Sequence, residues 1–271
     1  MALQSIDYFY FMKIVIIGSG NVAYHLIQAF CTTDAILFVH ARNEKALEIL
    51  KKEFPSITIL STYNLIALNA DLVLISVKDD VLNTVFEQYA YSPQTLVAHT
   101  SGTETITNTL FHQNAGVFYP LQTFSRSNHV RWNNTPILIE ASEEDAIQKL
   151  EQAAALLQAP YFQTDTQQRK YIHLAAVLTS NFANHLLGKA ATILNEHSID
   201  YHILQPLVEA TIHKAFTKHP FDVQTGPAIR NDNSTVIKHL SLLQSDRLLQ
   251  NIYTDITESI QKTSNLDTNN E

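Results

Sequence analysis

Glycine is scarce in this chain. Six occur in 271 residues, about 2% against an average near 7%, so each is expected where no other residue fits. Two of them, Gly18 and Gly20, stand almost together. Cysteine is scarcer: Cys31 alone excludes an internal disulfide and a cysteine-based zinc site, and its place near the end of a helix makes it structural. Clustered positive charge is missing. No basic run exceeds Lys51-Lys52, and the net charge is −8, with 8 basic and 10 acidic residues over 1–135 and 10 and 16 over 136–271. Nucleic-acid binding through a basic face is therefore excluded. No apolar run reaches the length of a membrane span, so no membrane partner is expected. The 12 histidines form no H-E-x-x-H motif or tight His/Asp cluster, and no metal site is expected. The N-terminus has neither a basic n-region nor a small-residue cleavage signal. It reads as untargeted, the protein as cytoplasmic, and residues 1–11 as an extension ahead of Met12. What remains is ordinary: 45% hydrophobic and 16% charged residues mark a globular chain.

The first 160 residues alternate short apolar runs with helix-period segments. Strands are expected at 13–17, 36–40, 58–60, 72–77, 95–98, 116–119, 136–140 and 161–163. Helices are expected at 21–30, 43–54, 81–89, 104–112 and 143–158. Strands that are apolar throughout need cover on both faces. The pattern therefore predicts an α/β domain over 1–164, a doubly wound, mostly parallel (Rossmann) sheet. From residue 165 the period becomes helical, with helices expected at 166–197, 203–217, 234–243 and 247–261 and a frayed tail over 262–271. An all-α C-terminal domain over 165–271 follows, with a polar, turn-rich segment at 224–233.

The sharpest motif is Gly18-Ser19-Gly20-Asn21-Val22-Ala23, directly after the run KIVII and opening a helix. It matches G-x-G-x-x-G/A in strand–turn–helix context. Gly18 allows the tight turn, Gly20 lets backbone approach a pyrophosphate, and the small Ala23 lets the helix pack on the strand. The helix N-terminus then offers N–H groups and a positive dipole end to the phosphates. The second strand ends His40-Ala41-Arg42-Asn43, without the acidic residue that holds an NAD ribose. Arg42 suits a 2′-phosphate, so NADP is favoured over NAD; a solvated arginine at a helix start is the plain alternative.

Ligands in such sheets sit beyond the carboxyl ends of the strands. Ser76, Val77 and Lys78 follow the fourth strand and are expected beside the pyrophosphate and ribose, while Asp79 or Asp80 can simply cap the next helix. His99-Thr100-Ser101-Gly102-Thr103 follows the fifth strand. There Thr100 borders the cofactor, Gly102 permits close approach, and His99 is either a proton donor near the nicotinamide or a structural histidine. The strip Tyr119 to Ser125 is placed to line a pocket. On the long helix His173, Asn181 and His185 fall on one face at α-helical spacing, with Val177 and Lys189. They are either cleft-facing groups or helix–helix hydrogen-bonding partners. Arg230 in the glycine-containing turn is either a clamp for a substrate carboxylate or a partner of Asp232.

With these residues named, the chain from about 12 to 262 resembles a bacterial Rossmann-like NADP oxidoreductase family that carries a C-terminal helical domain of unknown function. The matching words are IVIIGSGNVA, HTSGT, GVFYPLQTFS, HLAAVLTSNFANHL and QTGPAIRND. The N-terminal half also resembles pyrroline-5-carboxylate reductase, ketopantoate reductase and the deazaflavin-dependent NADP reductases. The resemblance implies hydride transfer between NADP(H) and a small carbonyl, imine or hydroxy compound, anionic or neutral, in an interdomain cleft. His99, Ser101, Asn181 and either His173 or His185 would orient or protonate that substrate, and Arg230 would hold its anionic group. It also implies a homodimer formed through the C-terminal helices. Two departures stand out. Related β-hydroxyacid dehydrogenases carry a lysine four residues before the helix asparagine, where this chain has Val177. Asn231 replaces a glycine of the family turn and retains tolerance of a left-handed backbone. A dinucleotide-binding sensor without turnover, and an oxidoreductase using a deazaflavin beside NADP, are the alternatives.

Overall fold

The computed structural model describes residues 11–106 and 114–267. The extension before Phe11, most of the helix expected at 104–112 and the last residues of the tail lie outside the described residues. The chain divides into two compact units, Met1–Asn181 and Phe182–Glu271. The first long-helix turns, from residue 166, belong to the first unit.

The first unit is built on an eight-stranded sheet of order β3-β2-β1-β4-β5-β6-β7-β8. Its strands are β1 (Lys13–Ile17), β2 (Ile36–His40), β3 (Thr58–Ile59), β4 (Leu72–Ile75), β5 (Leu96–His99), β6 (Ala115–Pro120), β7 (Ile137–Ala141) and β8 (Tyr161–Gln163). Neighbours run parallel except β6 and β7, which pair antiparallel with Phe118 opposite Ile139. The β6–β7 connection contains the short 3₁₀ turn Trp132–Asn134 and no crossover helix of the kind a parallel pair requires.

Alternation along the strands separates two cores. Ile14, Ile16, Leu72, Leu74 and Phe118 point to one face. Val15, Ile17, Val73, Ile75 and Val97 point to the other. The first face is covered by α1 (Asn21–Phe30), α2 (Glu44–Glu53) and α4 (Glu144–Leu156), through Leu26, Phe30, Leu50 and Leu150. The second is covered by α3 (Leu82–Gln88), through Leu82, Val85 and Phe86. Each such side chain removed from water contributes about 1.5–3 kcal/mol. Local signals agree with the packing: the Asn43 side chain accepts from Ala46 N at 3.1 Å and starts α2. Cys31 is half-buried against the first core, where burial raises its thiol above the ordinary range.

Helix α5 (Thr166–Ala176) closes the first unit's described sequence of elements, opened by a capping box between Asp165 and Gln168. Six residues of π-helix follow, Val177–Phe182. This corrects the expectation of one uninterrupted α-helix over 166–197. A π turn closes i→i+5 rather than i→i+4, so α-helical spacing does not carry across it.

The second unit holds α6 (Ala183–Glu196), α7 (Gln205–Thr217), α8 (Asn233–Leu242) and α9 (Arg247–Asp267). Pro206 stands in the first turn of α7, where its missing N–H costs nothing. Asp232 caps α8, accepting from Thr235 N at 3.1 Å and from the Thr235 hydroxyl at 2.7 Å. Asn231 has φ 51°, the left-handed conformation that asparagine tolerates. Among the described residues of this unit only Ala228, Leu249 and Thr257 are buried. Among the described residues of the chain, no helix is long and apolar enough to cross a membrane.

Candidate functional site

The site begins where β1 ends. Gly18 has φ 134°, and a Cβ there would lie 2.1 Å from the Ser76 carbonyl oxygen. No other residue fits this turn between the tips of β1 and β4. Gly20 meets a different requirement: a Cβ on it would touch nothing within 4 Å. The space in front of α1 is open, and no side chain caps that helix. A cradle of backbone N–H groups with room before it suits a pyrophosphate. Ala23 is fully buried under the turn.

A cavity of about 800 Å³ runs through this point. At one end it is lined by Arg42 and Asn43 beyond β2, in the middle by Gly18, Ser19 and Gly20, and at the other end by Thr100, Ser101, Gly102, Tyr119 and His173. The strand order explains the layout. β2 lies on one side of β1, and β4, β5 and β6 lie on the other. Asn21, Val22, Ser76, Val77 and Lys78 also line the cavity. At the Arg42 end Tyr89 lines the wall, and its hydroxyl is bonded to His40 Nδ1. Arg42 itself is exposed.

The far end is closely bonded. Asp79 does not cap a helix; its Oδ2 accepts from the Thr103 hydroxyl at 2.9 Å. The Thr100 hydroxyl donates to Ser76 Oγ at 3.3 Å, joining the tips of β4 and β5. Ser101 Oγ accepts from Thr103 N and Glu104 N, both at 3.1 Å. His99 is only 2% exposed, and its Nδ1 accepts from Ser101 N at 3.1 Å. Burial, aided by the Arg169 charge, pushes its imidazole down to about 4. It is a neutral ring behind the 101–103 turn and is absent from the cavity lining.

His173 reaches the cavity from α5. Its Nδ1 lies 2.8 Å from the Tyr119 hydroxyl, with the rings edge-on at 5.8 Å. A Cβ on residue 102 would come within 2.5 Å of the same Nδ1, so Gly102 leaves the volume that the imidazole fills. Burial, then the Asp79 charge, raises the Tyr119 phenol above its ordinary range, against the opposing Arg169 charge. One turn before His173, the fully buried Arg169 pairs with Glu140 beyond the middle of β7 and donates to the Glu104 carbonyl. Burial pushes its guanidinium down to about 10. The Thr166 hydroxyl donates to the same Glu140 carboxylate at 2.6 Å. The start of α5 is thus pinned to the sheet by a buried charge pair.

Of the other candidates, Asn181 is exposed and does not line this cavity, and His185 and Arg230 are exposed residues of the second unit. Asp232 is engaged in capping α8 through Ser234 and Thr235. Arg126 carried no motif signal. It belongs to the loop after β6, which lies along the start of α1: Asn21 Nδ2 donates to Phe124 O at 3.0 Å and His25 Nε2 is 2.9 Å from Ser125 O. Arg126 donates to Ser19 O at 3.2 Å and covers the Tyr24 ring at 5.1 Å, placing a cation at the phosphate turn. Among the described residues no group of His, Cys, Asp and Glu is arranged to hold a metal ion.

The family model described as NADP oxidoreductase, coenzyme F420-dependent, matches residues 13–101. A domain of unknown function, DUF2520, matches residues 135–260. A comparison with curated proteins finds no match. Among solved structures, a candidate NADP oxidoreductase from Bacteroides fragilis is 32% identical, with 93% of this chain and 98% of that one covered at a TM-score of 0.82. A reductive aminase from Aspergillus terreus, solved with NADPH and ethyl-5-oxohexanoate, is 11% identical over 96% and 95% of the two chains, at 0.71. An imine reductase from Myxococcus stipitatus, solved with NADP+, is 14% identical over 95% and 94%, at 0.65; a variant of it was solved with NAD+. The last two enzymes share the fold.

Proposed function

We propose a function from one premise: the chain belongs to the family of the Bacteroides fragilis protein, in which an NADP oxidoreductase domain precedes a DUF2520 domain. The protein binds NADP(H) in the first unit and reduces or oxidises a small carbonyl, imine or hydroxy compound. The observation that carries this reading is the single channel from Arg42, past the open face of Gly20, to Tyr119 and His173. Backbone at Gly18, Ser19, Gly20 and Asn21 holds the pyrophosphate with the dipole of α1. Arg42 holds the 2′-phosphate, and Ser76, Val77, Lys78 and Thr100 flank the nicotinamide ribose. When bound, the cofactor supplies or accepts a hydride. The protein orients the substrate beside Ser101 and Gly102 and excludes water.

Binding and turnover test this together. Wild type is expected to bind NADPH more tightly than NADH, and Arg42→Ala to lose about 10–100-fold for NADPH only, the loss of a charge-assisted bond. Equal NADPH affinity in both proteins would sink the assignment of Arg42. A panel of 2-oxo acids, cyclic imines, hydroxy acids and a deazaflavin, followed by nicotinamide absorbance, should contain a substrate. Tight NADPH binding with no turnover across the panel would instead mark a dinucleotide sensor.

We also propose that the second unit pairs with a second copy of the chain. Its helices leave Phe216 90%, Leu242 78%, Leu248 73% and Ile203 70% exposed. Apolar surface on this scale marks an interface. Sedimentation should give a dimer; a monomer at micromolar concentration would refute the pairing.

A further inference from the structure

We propose that Tyr119 and His173 form the proton-donating pair of the reaction, with Arg169 as the residue that positions it. The inference rests on the NADP(H) reading above and adds to it the identity of the acid. Position comes first. The pyrophosphate cradle lies mid-channel and Arg42 marks the adenosine end, so the Tyr119–His173 end is where a nicotinamide and the atom it reduces would stand. The two side chains arrive from separate elements, β6 and α5, and meet at 2.8 Å. Both line the channel.

The surroundings are built for this contact. Residue 102 has no side chain because the imidazole fills that volume. Arg169 and Thr166, on the same helix as His173, are held by the Glu140 carboxylate. The charged and titratable groups that face the pair from the packed elements are Asp79 beyond β4, Arg169 on α5 and the neutral His99 at the end of β5. Other groups at this end are already engaged: His99 Nδ1 accepts from Ser101 N, and Ser101 Oγ accepts two backbone N–H groups.

Hydride addition to a C=O or C=N carbon forms a C–H bond and moves the π pair onto the heteroatom. The Tyr119 O–H bond breaks as its proton passes to that atom. A protonated His173 then returns a proton from Nδ1 to the phenolate oxygen, and solvent reprotonates the imidazole. The substrate gains a hydride and a proton, and the dinucleotide is oxidised. Oxidation runs the same steps backwards.

Calorimetric titration in two buffers of different ionisation heat counts the protons exchanged on binding and needs no substrate. NADP+ and NADPH share the 2′-phosphate and differ in nicotinamide charge. Wild type should release more protons on binding NADP+ than on binding NADPH. His173→Asn should abolish the difference. Tyr119→Phe, which keeps the ring, should move the pH at which it is largest. On any substrate found in the panel, Tyr119→Phe should lower kcat by about 10²–10⁴-fold, the range of a lost general acid, and KM far less. Arg169→Lys should shift the same pH profile while NADPH binding persists. Equal proton release for the two cofactors in wild type, or a difference that survives His173→Asn, would overturn the pair while leaving the cofactor reading intact. Failure to bind either dinucleotide would overturn both.

Discussion

The two units of this chain bury their apolar residues to very different degrees. In the first, Ile14, Val15, Ile16, Leu72, Val73 and Leu74 are wholly withdrawn from water in a sheet covered on both faces. In the second, Phe216, Leu242 and Ile203 stand in solvent. The same contrast appears in charge. Arg169 and Glu140 pair with the arginine fully buried, whereas Lys189 and Asp246 pair at 2.7 Å with about a third of each side chain exposed. A sheet unit with two cores specifies its own structure. In the helical unit only Ala228, Leu249 and Thr257 are buried among the described residues. The ligand channel, which demands fixed geometry, is lined by the unit that holds itself together.

The contrast can be broken or sharpened by measurement. The largest effect is expected for Glu140→Ala, which leaves Arg169 buried and unpaired and should cost about 3–5 kcal/mol. Chemical denaturation would show it, and a loss below about 1 kcal/mol would mean that water reaches the guanidinium. Acid should come next. His99 titrates near 4 in the folded chain and near 6.5 in the unfolded one. The unfolded chain therefore takes up a proton that the folded one refuses, and stability is lost as pH falls from about 6.5 to 4. The loss amounts to about 3 kcal/mol, and His99→Gln should flatten this part of the stability–pH curve. Asn231→Ala should cost about 1 kcal/mol, because alanine resists the left-handed backbone; an unchanged melting temperature would show that the turn relaxes. Lys189→Met, at the exposed pair, should change stability by at most about 1 kcal/mol. If it matched Glu140→Ala, the two ion pairs would not differ as their burial implies. Phe216→Ser should be the mildest, within about 0.5 kcal/mol for the isolated protomer, yet it should weaken self-association in sedimentation. A protomer destabilised as much as by Glu140→Ala would place Phe216 in a core.

Much of the first unit was legible because its signals are local. β1, α1, β2 and β8 begin and end where the apolar runs and helix periods do. The glycine turn after β1 was legible for the same reason: a glycine at φ 134° and an open face at Gly20 are what the spacing demands. Asn231 took the left-handed backbone that its residue type suggested. What escaped depended on distant parts of the chain. The burial of His99 comes from packing around β5, not from its neighbours in sequence. The approach of Arg126 to Ser19 is set by a loop folding back over α1. The π turn at Val177–Phe182 interrupts the α-helix expected over 166–197, and the helical period of the sequence does not reveal it. Tyr119 was placed on a pocket wall, but its bond to His173 joins β6 to α5, which sequence spacing does not bring together.

Gly102 has a consequence for the history of the chain. Its missing side chain and the imidazole of His173 occupy one volume, so neither position can change freely while the other stays. Alanine at 102 becomes acceptable only after residue 173 shrinks, and a ring at 173 returns only after 102 is bare again. Among relatives these two columns should co-vary, and a double variant should recover fold that the single Gly102→Ala loses.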